Sequence, residues 1–426
     1  MGEVDYTQLP DTQRQHIAST VKTIREYMTP TLDSFTKSNR KISGGQQGYQ
    51  IPFFVTDYGQ NSYLTPGAAG NSFMQPVSPT SQSMWVGLSY QAAAMRTDGI
   101  FLATMDEKES LINEAQLREL RIENFMKHQN YWSIGDGSGV VAVVTSFAAG
   151  TLTCSTASAI NSTKGAHRLI KGVTYDIVDE VSFAVVGTVT PTANGTNSTT
   201  VTCTSTGLPN NAGAFVCEQG GYNRVPRGLG YLIATGPRVF QGLDTTGFVE
   251  FNSSGYNLSG AAISSATINL LKTKVQVRMN APTKEEFARI GHTTPGQFTT
   301  LANQGFSARS YWAQDGKADT TFGYPEKYVD GNMMILLDAD IDEDRFYMRR
   351  ASDYFNFELK SFGPVDRDGL KIRQSPGDNS VGADDWFSQV SWFYNLGFDG
   401  NGSGGNYASA YIYGANVVSG TSQATV

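Results

Sequence analysis

The chain has 426 residues, a formal net charge of -7 and only 17% charged residues, with 45 glycines and 11% aromatics. That length allows two or three domains and a substantial core, and that mixture is expected of a β-rich, loop-rich globular protein with a polar, weakly charged surface. No basic block supports sequence-specific nucleic-acid binding, and the longest apolar run, VVAVV followed by TSFAA, is too short to span a bilayer.

The first residues, MGEVDYTQLPDTQRQ, are polar and lack a signal-peptide pattern. Residues 11–28 place Ile17, Val21, Ile24 and Met28 on one stripe, which predicts an amphipathic arm limited by Pro30. A helix this short is marginal alone, so the arm needs a partner surface. From Ile42 to Met95 the only charge is Asp57, and strand-like pieces occur at YQIPFFV and SMWVGLSY. Its aromatics argue against disorder. The segment reads as an extended two-stranded loop lying on a neighbouring subunit, with a peripheral hairpin of its own domain as the alternative. Phe53 and Phe54 at its base, Trp85 and Tyr90 along it, and Ile17, Val21 and Ile24 of the arm are the candidate intersubunit contacts. Burial within the same subunit is the competing reading for each.

Thr104 and Glu107 form a T-x-x-E capping box opening a long helix, which Gly135 and Gly137 end. Ile112, Ala115, Ile122, Phe125 and Met126 line one face, and about thirty residues give a rod of roughly 45 Å. Residues 140–224 turn to Val, Thr, Ser, Ala and Gly in short runs separated by turns, which predicts an inserted antiparallel β-barrel or sandwich. The N-x-S/T triplets at Asn161, Asn194 and Asn197 read as turns. Thr283 with Glu286, and Thr294 with Gln297 and Pro295, predict two more helix starts, through FARI and QFTTLANQGFSARSYW. From Asp330 onwards strands and turns alternate.

Chemistry finds little support. Asp338, Asp340, Asp342, Glu343 and Asp344 crowd five carboxylates into seven residues. A calcium loop starting at Asp338 needs Gly sixth and Glu twelfth, where the chain has Glu343 and Arg349. The run lies between two β-patterned segments and reads as a turn, solvated or paired with arginines. On that reading, Asn at Asp340 and Asp342 leaves assembly nearly unchanged unless such a pairing exists. GDGSG (residues 135–139) closes a helix instead of opening one, unlike a phosphate cradle. His16, His128, His167 and His292 lack metal-ligand spacing. Cys154, Cys203 and Cys217 read as reduced thiols of a cytoplasmic protein. The expectation is no catalytic residue, no cofactor and no metal.

The order of these parts resembles the major capsid protein of tailed double-stranded-DNA bacteriophages, the Hong Kong 97-type shell fold. NMMILLDADIDEDRFYMRR is similar to that family's strand, short acidic turn and strand, and WFSQVSWFYNL with YASAYIYGANV to its closing strands. The resemblance implies an α+β fold divided into N-terminal arm (1–41), extended loop (42–103) and spine helix (104–139). An inserted β-rich domain (140–224), a peripheral-to-axial helical region (225–329) and axial or peripheral strands with the C-terminus (330–426) follow. It also implies a non-enzymatic subunit that forms pentamers and hexamers in an icosahedral virion shell around double-stranded DNA. Assembly in the host bacterial cytoplasm, with scaffolding, portal and cement or decoration proteins as partners and no membrane, belongs to the same expectation.

Two departures bear on stability. Some family members crosslink through a lysine of the extended loop, but no lysine lies between Lys41 and Lys108, so that crosslink is expected to be absent. The chain also lacks a long charged helical N-terminal extension, which suggests a separate scaffold. The rival readings are a tail or decoration protein and a secreted glycan-active hydrolase.

Overall fold

The computed structural model describes residues 29–40, 48–56, 80–98, 122–148, 150–154, 164–194, 199–206, 213–279, 290–309, 328–330, 333–364, 372–374, 385–400, 406 and 408–415. The expected arm helix of 11–28, the capping boxes at Thr104 and Thr283, and the expected long helix up to residue 121 lie outside them.

After a short helical turn, Pro30–Asp33, come strands β1 (Thr36–Lys37), β2 (Gly48–Thr56), β3 (Thr80–Gly87) and β4 (Ser89–Asp98). Residues 122–134 form helix α1. Strands β5 (Val140–Ala148), β6 (Thr151–Cys154), β7 (Tyr175–Val178), β8 (Val185–Pro191), β9 (Thr200–Thr206) and β10 (Phe215–Glu218) follow. They close into an antiparallel barrel in the order β10-β5-β6-β9-β8-β7. Val144, Leu152, Cys154, Ile177, Val189, Val201, Cys203 and Val216 fill its core. Burial raises the pKa of all three cysteine thiols, which keeps them protonated and inert.

Beyond the small hairpin β11 (Val239–Phe240) and β12 (Leu243–Asp244), strand β13 (Ser254–Asn257) leads into helix α2 (Ser265–Met279). Strand β14 (Ile290–Thr293) then leads into helix α3 (Pro295–Arg309). The remaining strands are β15 (Tyr328–Asp330), β16 (Met333–Leu337), β17 (Phe346–Arg349), β18 (Tyr354–Pro364), β19 (Ile372–Gln374), β20 (Asp385–Phe398) and β21 (Ala410–Tyr413). One mixed sheet runs β13-β21-β17-β14-β16-β15, with α2 and α3 contributing to its core through Ile268, Leu271, Val275, Phe298 and Leu301. The other sheet runs β1-β18-β20-β19, with β4 also paired to β20. The architecture is therefore α+β with a closed barrel inserted between α1 and the rest.

Thr294 caps α3 as its sequence predicts: the Gln297 N–H donates to Thr294 Oγ1 at 3.4 Å, and Pro295 takes the first helical position. One expectation needs correction. Ile290, the last residue of FARI, begins a strand and not a helix turn, because it pairs between β16 and β17. At the start of helix α2 Ser264 accepts from the Thr267 N–H, and Ile268, Leu271 and Val275 keep helical spacing. Its outward face also carries the apolar Leu270 and Val277, which blurs its amphipathic signature.

The element that joins the cores is α1. Ile122, Phe125, Met126 and Ile134 enter the main core, while Tyr131 and Trp132 enter the barrel core. Residues 129–134 are buried without interruption, so the helix is enclosed on all sides. At its end Gly137 and Gly139 adopt left-handed φ values of 78° and 76°, which reverses the chain into β5. The chain leaving the barrel returns across the same helix end at Gly228, where an added Cβ would lie 2.4 Å from the Ser133 carbonyl.

Two substitutions test this joint. Trp132→Ala should cost about 3–5 kcal/mol and lower hydrogen-exchange protection across the barrel strands. Gly228→Ala should lower the thermal midpoint sharply. Gly247→Ala, whose Cβ would meet nothing nearer than 3.8 Å, should be tolerated.

Candidate subunit-contact surfaces

Strands β2 and β3 form a separate antiparallel ribbon, with Tyr49 opposite Val86 and Ile51 opposite Met84. Period-two alternation puts those four side chains on the buried face. The opposite face carries Gln50, Pro52, Ser83 and Trp85, and neither strand holds a charged residue. The indole of Trp85 lies across Gly48, whose added Cβ would meet the ring at 2.8 Å. Trp85 stays 39% exposed and Tyr90, on β4, 55% exposed, its ring 4.4 Å from that of Phe393. Phe53 behaves differently. It is half-buried, with edge contacts to Phe251 at 5.1 Å and Phe248 at 6.1 Å, so its ring belongs first to the subunit's own core. The side chain of Phe54, and Ile17, Val21 and Ile24, lie outside the described residues.

A second apolar surface sits on the barrel. Val181, Phe183 and Val185 are 79%, 57% and 58% exposed, and the rings of Phe183, Tyr222 and Phe215 stack at 5.9 and 6.2 Å. Phe183 holds a left-handed φ of 54°, secured by its N–H donating to the Asp179 carbonyl at 3.0 Å. The sequence offers no signal for this ladder, because its three rings come from separate segments.

The acidic run is corrected by the structure. Asp338, Asp342 and Glu343 are buried, so the segment is not a solvated turn. The reason is topological: β16 and β17 do not pair with each other but flank β14, so the run crosses over the end of β14. There the Asp338 N–H donates to the Thr293 carbonyl at 2.9 Å. The Asp338 carboxylate accepts from Thr31 Oγ1 at 2.5 Å, Asn130 Nδ2 at 2.9 Å and the Asp340 N–H at 3.0 Å. Asp340 pairs with Arg168 of the barrel at 3.0 Å, and Asp342 with Arg345 at 3.2 Å. Asp344 accepts from the Gly414 N–H at 3.2 Å. One short segment thus binds the incoming chain, α1, the barrel and the C-terminal strand, all within one subunit. The arginine pairing named as the alternative is present, so a near-neutral effect of Asn at Asp340 and Asp342 is no longer expected. Burial pushes the Asp338 carboxyl up to about 6, with the Asp340 charge adding to the rise.

The arm's exit is fixed by a second buried group. Arg349 donates through Nη2 to the Ser34 carbonyl at 2.8 Å and Oγ at 2.6 Å, lies 4.2 Å from the Phe35 ring centre, and donates through Nε to His292 at 3.2 Å. Burial brings its pKa down to about 10, and burial together with Arg349 holds His292 neutral. Further out, Arg40 makes a bidentate pair with Asp399 at 2.6 Å for both contacts. At the barrel joint His128 Nε2 lies 2.5 Å from Glu218 and 2.9 Å from Trp132 Nε1. Among the described residues no group of three or more His, Cys, Asp or Glu is placed to hold a metal, and no helix is long and apolar enough to cross a membrane.

No model of a known protein family matches the sequence, and no curated protein does. Among solved structures, the chain is similar to the capsid asymmetric unit of cyanophage A-1(L), at 12% identity and a TM-score of 0.49, covering 91% of this chain and 93% of that one. It is similar to the capsid of Myoviridae phage XM1 at 8% identity and 0.44, covering 91% and 92%. The holo-SrpI encapsulin complex from Synechococcus elongatus matches at 8% and 0.43, covering 92% and 89%.

Asp338 predicts a pH dependence. Its folded pKa, about 6, stands above the ordinary 3.8, so its contribution to stability is complete below pH 3.8 and is lost as pH rises through 6. A rise of about two units corresponds to about 3 kcal/mol. Denaturant midpoints of wild type and Asp338→Asn between pH 4 and 7 should therefore converge in slope at the upper end and diverge at the lower. Parallel curves throughout would disprove the assignment.

Proposed function

We propose that this chain is a major capsid protein of the Hong Kong 97 type, a non-enzymatic subunit. Its copies assemble through pentamers and hexamers into the icosahedral head shell enclosing the double-stranded DNA of a tailed bacteriophage. The observation that carries the reading is the uncharged β2–β3 ribbon, with Trp85 and, beyond it on β4, Tyr90 turned outward. Within a monomer these rings face water, whereas against a neighbouring subunit they lose apolar area without stripping any ion of its hydration.

On this reading the β2–β3 ribbon, whose inner face packs on the chain's own core, offers its outer face to a neighbour, and the helix ending at 134 is the spine of the peripheral domain. The barrel is an accessory domain, and residues from 330 onwards complete the axial and peripheral sheets. Trp85 and Tyr90 are the proposed intersubunit contacts, with Phe54, Ile17, Val21 and Ile24 assigned to the same role. Scaffolding, portal and cement proteins are the proposed partners, the virion is the proposed location, and the host bacterial cytoplasm is the proposed place of assembly.

Electron microscopy of the purified full-length protein and of the native particle tests the reading: uniform closed shells support it. A protein that stays monomeric under all assembly conditions, or releases sugar from a polysaccharide, would sink it. Tyr90→Asp combined with Trp85→Ala should leave circular dichroism and the thermal midpoint near wild type while strongly lowering shell yield. Because Lys41 and Lys108 bound a lysine-free stretch, boiled shells should run as monomers on denaturing gels.

A further inference from the structure

Two exposed apolar surfaces, on separate elements of the fold, carry opposite charge. The first is the turn between β7 and β8, where Val181, Phe183 and Val185 stand out from the barrel. Its shape is fixed by its own bonds. The Asp179 carboxylate accepts from the Ser182 N–H at 2.8 Å and Oγ at 2.7 Å, and the Asp179 N–H donates to the Ala184 carbonyl at 3.0 Å. A bulky side chain at a left-handed φ is rare, so Phe183 is held outward against both backbone preference and the hydrophobic effect. Glu180 is exposed at the same turn. From Gly172 to Asn223 the acids are Asp176, Asp179, Glu180 and Glu218, with no lysine or arginine. The second surface is the outward face of α2, where Leu270 and Val277 are 44% and 76% exposed and Thr273 and Lys274 lie exposed between them. Spaced at i, i+3, i+4 and i+7, these four share one stripe about 10 Å long. Ser265–Met279 contains Lys272, Lys274 and Arg278 but no acid. The Lys274 ammonium rests 4.7 Å from the Tyr256 ring centre, beside the stripe.

We infer that the β7–β8 turn of one copy docks on the outward face of α2 in a neighbouring copy, with Phe183 between Leu270 and Val277 and Glu180 beside Lys274. The inference rests on the shell reading, since assembly is what supplies the second copy. Charge selects this pairing over the symmetric ones. Two barrel turns face to face would set Glu180 against Glu180, and two α2 faces would set Lys274 against Lys274, whereas turn on helix brings opposite signs together. The dimensions agree: Val181 to Val185 spans at most about 13 Å, close to the two helical turns of the stripe. An aromatic side chain at the centre of the contact, with charges at its rim, is the arrangement of an interface anchor. The turn is already fixed by its internal bonds, so docking gives up little conformational freedom. A turn on one copy and a helix on the next make a heterologous contact, which closes rings when the rotation allows. Each contact is small, and its effect comes from repetition around the ring.

Mixed assembly of full-length protein tests the contact, since the three native cysteines are buried. One preparation carries Val181→Cys, and a second, lengthened by a tag, carries Val277→Cys. The two are assembled together, oxidised and run on non-reducing gels. Each chain has a single new thiol, so a disulfide joining the two sizes is intermolecular by construction. A mixed dimer that reducing agent removes is expected, and each preparation assembled alone should stay monomeric on the gel. Shells that give no mixed dimer, or dimers as abundant in either preparation alone, overturn this inference and leave the shell reading intact. Wild-type protein that never forms shells overturns both. Should either variant fail to assemble, Ser182→Cys with Thr273→Cys repeats the test without removing apolar area. Independently, Glu180→Lys and Lys274→Glu should each lower shell yield severalfold while leaving the thermal midpoint of the unassembled chain near wild type. Combining them in one chain should restore the yield. Single variants with full yield, or a double variant without rescue, overturn the pairing.

Discussion

The fold depends on enclosing α1. A helix normally shows one apolar stripe to a core and its polar face to water, but the last six residues of α1 are shut in on every side. Two apolar cores claim opposite faces, the main core through Phe125, Met126 and Ile134 and the barrel core through Tyr131 and Trp132. The polar residues between them must then be satisfied by protein groups, because burying an amide or hydroxyl without a partner costs a few kcal/mol. Gln129 accepts from the Tyr394 hydroxyl at 2.9 Å, Asn130 accepts from the Leu32 N–H and donates to Asp338, and Ser133 donates back to the Asn130 carbonyl. The bonds of Gln129 and Asn130 each reach a different element, so the helix sets the position of the main sheet, the incoming chain and the acidic crossover together.

That arrangement explains why costly polar groups sit where apolar ones would be cheaper. Asp338 without its proton, or Arg349 with its charge, is poorly placed in a low-dielectric interior. Each, however, bonds the segment that leads out of the arm: Asp338 holds Thr31 and Arg349 holds Ser34. Apolar packing alone would let residues 29–35 slide along the core, whereas directional bonds to named atoms fix one register. Specificity of this kind is bought with stability. The Lys37–Glu358 pair at 2.5 Å and the bidentate Arg40–Asp399 contact extend the same register to the surface, where each contributes less.

Patterns that depend on local spacing were legible in the sequence. The two strand-like pieces of the charge-poor segment pair as β2 and β3, the Val/Thr-rich runs close into a barrel, and Thr294 caps α3. What the sequence could not convey was partnership between distant segments. The acidic run obeys every local rule for an exposed turn, yet it is buried because β14 lies between the strands it connects. Trp132 is one residue of a helix in sequence and a plug for the barrel in space. Helix α2 has no clear stripe in the sequence, because Leu270 and Val277 on its open face mask the one formed by Ile268, Leu271 and Val275. Phe53 was grouped with Trp85 by composition, although alternation along β2 and the nearby Phe251 turn it inward.

The absence of charge along the ribbon carries a consequence for assembly. On the proposed shell reading each contact is repeated in every copy, so a penalty of even a fraction of a kcal/mol per contact multiplies across the particle. A lysine or glutamate on the outer face of β2 or β3 would add a desolvation cost of that kind wherever the ribbon meets protein. Aromatic rings avoid it, since Trp and Tyr offer large apolar area together with a polar tip that tolerates a wet rim. The same economy does not extend inward. Within the chain, carboxylates and guanidinium groups are buried where directional partners meet them, as at Asp338 and Arg349. Charge in this chain is therefore divided by role: it keys the subunit's own register at Asp338, Asp340 and Arg349, and it is withheld from the outer face of the ribbon.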